Sequence, residues 1–173
     1  MRKVSIILLL VFLAVFCVGC NSNKGPQAKA EKFLNAYYSQ YEKKDEIEEI
    51  FESGDLNGTD SDELVIVSDG VQEQKIKDFI DRNFKDMLTE RGRDLLVSNR
   101  LIPKADVLDS DIVKATIVKV EFDTSEDDNE NLSFSLDIDY EHEDGSNTNS
   151  SEKGWIRVID EEGTLKVDGL GFN

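Results

Sequence analysis

From residue 27, apolar residues in this chain recur mostly every three or four positions as far as Pro103 and every second position after it. That switch limits the fold more than any other feature of the sequence. A period near 3.6 lines apolar side chains along one stripe of a helix, and a period of two lines them along one face of a strand. From residue 27, the spacing of Ala30, Phe33, Leu34, Tyr37 and Tyr41 predicts a first helix, with Lys29, Lys32 and Gln40 on its polar face. Asp45 followed by Glu48 has capping-box spacing, which predicts a short second helix that buries Ile47, Ile50 and Phe51 and stops at Gly54. Asp69 with Gln72 repeats the pattern and opens a longer helix bearing Ile76, Phe79, Ile80, Phe84, Met87 and Leu88. Residues 89–92 break that helix, with Thr89 recapping a final turn or two through Leu95 and Leu96. Pro103 then forbids continuation, because it has no amide hydrogen and crowds the preceding turn.

Beyond Pro103 the chain reads as strands. Residues 112–122 are β-branched and alternating, and Leu132, Phe134, Leu136, Ile138 and Tyr140 alternate with Ser133, Ser135, Asp137 and Asp139, giving a strand with one buried and one wet face. Residues 155–159 and 164–170 pair about the tight turn Asp160-Glu161-Glu162-Gly163. Residues 55–63, 124–131 and 143–151 read as polar loops, and 64–67 as a short strand. Helices first and an antiparallel meander afterwards predict an α+β fold with N-terminal helices packed on one face of a curved antiparallel sheet. Phe33, Tyr37, Phe79, Phe84, Leu88, Leu136, Ile138, Trp155 and Val167 are expected to share its core.

The N-terminus predicts a location. Arg2 and Lys3 precede an apolar run over residues 4–19 that is too short to cross a bilayer comfortably, since a spanning helix needs roughly 20 residues. Charge, length and a small-residue end are those of an export signal. Its close, Cys17-Val18-Gly19-Cys20, resembles the bacterial lipoprotein signal, in which a small residue precedes a cysteine that is diacylated and becomes residue one. Cys17 stands where the usual pattern has Leu. The resemblance implies a signal peptide over 1–19, a lipidated tether over 20–27 and a single α+β domain over 28–173, held on the membrane by the two acyl chains on Cys20. Cleavage removes Cys17 and leaves no free thiol, so disulfides, cysteine metal sites and a cysteine nucleophile are excluded.

Charge narrows the partners. The full chain carries −17, and loss of Arg2 and Lys3 leaves 18 basic residues against 37 acidic ones, or −19. Nucleic acid is excluded on this balance, because binding it takes basic patches that displace phosphate counterions. A basic protein partner in the envelope, steered by the loop acids Asp127, Asp128, Glu143 and Asp144, is the charge-complementary choice.

Few residues suggest chemistry. His142, the only histidine, falls at a strand end beside a turn and offers little as a general base. Asp168, near the end of the last strand, is the candidate polar group for a cavity, and Asp137 and Asp139 face the wet side by alternation. Three acidic loops, around residues 55–60, 123–128 and 141–144, lack the ligand spacing of calcium sites. No cofactor or metal is expected.

The helix–sheet order, with AEKFLNAYYSQY at the front, MLTERGRDLLVSNR ending the long helix and GWIRVIDEEGTLKVDGLGF as the closing hairpin, resembles the nuclear transport factor 2-like (cystatin-like α+β) superfamily. It is also similar to small lipoproteins of Gram-positive bacteria that carry such domains. The resemblance implies a cone-shaped cavity between helix and sheet, used by isomerase-like and dehydratase-like members and left unused by many binding or accessory members. Fold does not choose between these. The expectation is a non-catalytic binding or accessory module on the outer face of the cytoplasmic membrane. The alternative is a small-ligand binder or enzyme working in the cavity through Asp168 or a tyrosine.

Overall fold

The computed structural model describes residues 25–52, 70–125 and 128–173. The expected signal peptide, Cys20, the expected tether up to residue 24, the helix stop at Gly54, the loop expected at 55–63, the strand expected at 64–67 and the cap expected at Asp69 lie outside the described residues. Helices come first: α1 (Pro26–Tyr38), a 3-10 turn (Ser39–Lys43), α2 (Lys44–Glu52), α3 (Gly70–Asn83) and α4 (Glu90–Ser98). Four antiparallel strands follow in the order β1-β2-β3-β4, over Ile112–Ser125, Asp128–His142, Asn147–Glu161 and Thr164–Phe172. The architecture is thus α+β, with helices followed by an open four-stranded sheet.

Helix α1 starts with Pro26 in its first turn, where a missing amide hydrogen costs nothing. It lies across the inner face of the sheet, touches all four strands, and buries Ala30, Phe33, Leu34, Tyr37 and Tyr38. Phe84 joins this layer to α3 with its ring between Phe33 and Phe79, at centroid distances of 5.7 and 6.5 Å. Even-numbered residues of β2 from Leu132 to Tyr140 point into the core, with Ile156, Val158, Val167 and Leu170 from the later strands. Of the nine residues expected in the core, eight are buried. Trp155 is not: it is 43 % exposed on the outer face of the sheet, because Ile156 and Val158 occupy the inward positions of β3 and the pleat sends Trp155 the other way.

The remaining differences from expectation arise where tertiary pairing overrides local pattern. Lys44 is helical (φ −51°, ψ −47°), so the 3-10 turn runs unbroken into α2 and Asp45 lies inside helical chain instead of capping it. Helix α3 ends at Asn83, short of Leu88, because Leu88 is extended (φ −109°, ψ 147°) and bridges Val167 in parallel along the free edge of β4. Thr89 then caps α4 as expected, its hydroxyl accepting from the Gly92 amide at 2.8 Å. The expected loop at 143–151 shrinks to a turn at 143–146, and β1 and β2 extend until Ser125 pairs with Asp128. Ser151 donates to Asp137 at 2.8 Å and Asn149 donates to Asp139, so these weak strand formers are held by cross-strand partners.

Candidate functional site

Asp168 is buried, its side chain 5 % exposed, at a bulge where β3 and β4 slip register between Arg157 and Val158. Its position follows from the edge contact just described. The Thr89 amide donates to the Val167 carbonyl at 3.0 Å, which brings the start of α4 against β4. The Thr89 hydroxyl then donates to Asp168 Oδ1 at 2.8 Å, and Arg91 Nη1 donates to Oδ2. Arg157 Nη1 stands 3.7 Å from the same oxygen. Gly92 permits this approach, since a Cβ there would fall 2.5 Å from the Val167 carbonyl oxygen. Both carboxylate oxygens therefore have donors from neighbouring chain, and the arrangement fastens α4 to the sheet.

A second polar cluster sits where α1 crosses the sheet. Glu152 lies on the inner face of β3 beside Leu136, and its two oxygens accept from Tyr38 at 2.7 Å and Tyr140 at 2.8 Å. Tyr37 meets Tyr38 edge-on at 5.2 Å and Tyr41 meets Tyr140 at 5.7 Å, while Lys104 lies over the rings of Tyr37 and Tyr41 at 5.8 and 5.6 Å. All four tyrosines of the chain are gathered here. Burial raises each hydroxyl above the usual tyrosine range. For Tyr38 and Tyr140 the hydrogen bond to Glu152 and its negative charge add to the effect, and for Tyr41 the Lys104 ammonium opposes it. Neutral phenols bonded to a carboxylate make a stable internal pairing. Sequence reasoning placed the tyrosines as packing and missed Glu152, which shares the inward parity of Ile156 and Val158.

Other residues singled out by the sequence fall at the periphery. His142, the last residue of β2, has Nδ1 3.0 Å from Asp111 and Nε2 2.7 Å from the Thr148 hydroxyl. Glu143 is exposed and lies 3.4 Å from Lys44. Asp144 is exposed and is held below the usual carboxylate range by hydrogen bonds from Ser146. Asp127 and the side chain of Asp128 lie outside the described residues. Glu143 and Asp144 share the β2–β3 turn, whereas Asp168 belongs to β4; the described residues do not bring them into one site.

The outer face of the sheet carries Trp155, which sequence reasoning placed in the core. Two neighbouring rows cross it: Glu121, Ser135 and Lys153 in one, and Asp123, Ser133, Trp155 and Gly171 in the next. A groove of about 590 Å³ follows these rows over β1, β2 and β3 and includes Lys153 and Gly154, the residues just before Trp155. The indole covers β4: a Cβ on Gly171 would come 2.5 Å from its Nε1, and one on Gly169 would come 3.1 Å from its Cζ3. Contact with both glycines places the ring lengthwise along β4, from Gly171 to Gly169. No family model, curated protein or solved structure matches this chain.

Proposed function

We propose that this protein is a non-catalytic binding module, tethered by lipid on Cys20 to the outer face of the cytoplasmic membrane, with a nuclear transport factor 2-like domain that engages another component of the envelope. One observation carries this reading: the only tryptophan of the chain is 43 % exposed on the outer face of the sheet, against glycines that leave room for it. Aromatic side chains of this size dominate the energetics of binding surfaces. The carboxylates of Asp168 and Glu152 already accept hydrogen bonds from Thr89, Arg91, Tyr38 and Tyr140. The competing reading, a small-ligand binder or an isomerase-like or dehydratase-like enzyme in the cavity, would draw on Asp168 or a tyrosine.

Crosslinking in intact membranes tests the proposal. Trp155→Ala should reduce capture of the partner, and reversing Asp127, Asp128, Glu143 and Asp144 should slow association and flatten its salt dependence if these acids steer the encounter. Asp168→Asn should leave capture unchanged. Cys20→Ala should block labelling by fatty acid and leave the precursor uncut. Normal capture by Trp155→Ala, together with loss of ligand affinity or turnover in Asp168→Asn, would replace the binding reading with the cavity reading.

A further inference from the structure

We infer that the outer-face groove beside Trp155 is a glycan-binding site whose occupant is a linear chain of uncharged pyranose units; this rests on the reading of the outer face as the binding surface. Three observations converge on that chemistry. The first is the platform. Gly169 and Gly171 lie against the indole, which is 43 % exposed, so part of the ring is packed on backbone and part is open to solvent. A pyranose with equatorial substituents presents a flat patch of C–H groups of matching size. Stacking that patch on the open part of the indole removes apolar surface from water on both partners.

The second observation is charge. The chain as a whole carries −17, yet the outer face is close to balance, with Lys114, Lys119, Lys153 and Arg157 set against Glu121, Asp123, Asp137, Asp139 and Glu141. Most of these are matched locally: Lys119 holds Glu121 at 2.9 Å, Arg157 holds Glu130 at 3.1 Å, Asp137 accepts from Ser151 at 2.8 Å, and Asp139 accepts from Asn149. A balanced face gives little long-range attraction to a polycation or polyanion, which argues for a neutral occupant.

The third observation is the groove itself. It lies in the size range of small-molecule clefts, roughly 300–1,000 Å³. Along it run the Ser133 and Ser135 hydroxyls, with Asp123 and Lys153 at either side. Among the described residues, neither Asp123 nor Lys153 has an ion-pair partner within 4.0 Å. A carboxylate acceptor, an ammonium donor and two hydroxyls that serve as either suit the mixed donor and acceptor pattern of sugar hydroxyl and acetamido groups. An apolar platform with a few placed polar groups beside it is the usual composition of a small-ligand cleft.

The single tryptophan makes the test direct, because all indole emission reports on this site. The lipidated protein in neutral detergent would be titrated with a tetramer of β-1,4-linked N-acetylglucosamine, following Trp155 emission, acrylamide quenching and heat of binding. The expected result is a saturable blue shift and loss of quenching that are insensitive to salt. Trp155→Ala should weaken the heat of binding by about tenfold or more, a loss of one stacking contact. Lys153→Ala and Trp155→Phe, which leave the backbone contacts of the sheet in place, should weaken it less and keep the test valid if Trp155→Ala does not fold. Absence of both spectral change and heat up to about 10 mM tetramer, weaker than any useful affinity, would overturn the inference. Full-strength binding by Trp155→Ala would do the same. A parallel arm uses polylysine. Shielding of Trp155 by polylysine and not by the tetramer would overturn the glycan site while leaving the binding-module reading standing. Failure of both probes, together with partner capture that ignores Trp155, would remove both.

Discussion

Raising the pH should unfold this protein through its tyrosines. Tyr37, Tyr38, Tyr41 and Tyr140 are buried in one cluster, and burial raises all four hydroxyls above the range they occupy in an unfolded chain. An unfolded tyrosine releases its proton near pH 10, whereas the folded one retains it. Above that pH the unfolded state binds fewer protons than the native state, so stability falls as pH rises. The stabilisation is complete below about pH 10 and is lost on the alkaline side, from there up toward the folded values. At about pH 11 the loss is about 1.4 kcal/mol for each tyrosine that stays protonated when folded, or about 4 kcal/mol for Tyr37, Tyr38 and Tyr140 together. That is comparable with the whole stability of many domains, about 5–15 kcal/mol. Urea unfolding at a series of pH values, followed by far-ultraviolet dichroism, measures the slope, and tyrosinate absorbance tracks the protons. Lys119 and Lys166, raised by Glu121 and Glu161, lose their contribution in the same direction, so Tyr38→Phe and Tyr140→Phe are needed to isolate the phenols. Each should flatten the alkaline slope, and tyrosinate should appear only as the fold is lost. Tyrosinate forming with a midpoint near pH 10 while dichroism and Trp155 emission stay native would refute the reasoning.

Three further outcomes are expected from packing. Phe84→Ala, at a fully buried ring between Phe33 and Phe79, should cost about 3–5 kcal/mol in urea unfolding; a loss under about 1 kcal/mol would place Phe84 outside the core. Gly92→Ala should destabilise by about 1–3 kcal/mol or more, because its Cβ would meet a backbone carbonyl oxygen that has no freedom to turn away; an unchanged melting temperature would show that α4 does not dock this closely. Asp168→Asn keeps one acceptor for Thr89 and loses the charge facing Arg91, whose side chain is 63 % exposed and free to rehydrate. The expected cost is about 1–2 kcal/mol, well below that of a fully enclosed ion pair, and a loss above about 4 kcal/mol would contradict that screening.

The order of elements was legible in the sequence because it depends on period alone. The stripe Ala30, Phe33, Leu34 and Tyr37 and the alternation from Leu132 to Tyr140 are strong signals, and both are buried as their spacing requires. Boundaries were legible only where a local interaction sets them, as with Thr89, whose own hydroxyl caps α4. Where the deciding partner is distant in sequence, local pattern misleads. Leu88 continues the helical stripe of α3, yet its backbone is extended because Val167, far along the chain, offers a sheet edge. Residues 147–151 have turn-like composition and still form a strand, because Asp137 and Asp139 lie opposite to receive their side chains.

Trp155 shows how the surface could have been read correctly. A large aromatic residue invites placement in the core, but parity along a strand is a stronger constraint than side-chain type: Ile156 and Val158 fix the inward positions, and a residue between them and Gly154 has no route to the same face. The glycines at 169 and 171 become a signal only once the bulge at Asp168 is known, since Val167 and Leu170 are three residues apart and both face inward. On a strand whose inward residues are Val167 and Leu170, outward glycines leave bare backbone that an aromatic residue on the neighbouring strand can cover, and the pairing of Trp155 with Gly171 supplies that cover. The same parity places Glu152 inward, where an unaccompanied carboxylate would be costly to bury. That cost predicts donors, and the neighbouring tyrosines are the residues able to provide them without adding charge. Glu152→Ala should then leave the Tyr38 and Tyr140 hydroxyls without their acceptor and destabilise by about 1–3 kcal/mol. Combining it with Tyr38→Phe and Tyr140→Phe should recover part of that loss, since the orphaned hydroxyls are then absent. Strict additivity of the three changes would show that the carboxylate and the phenols do not act as a unit.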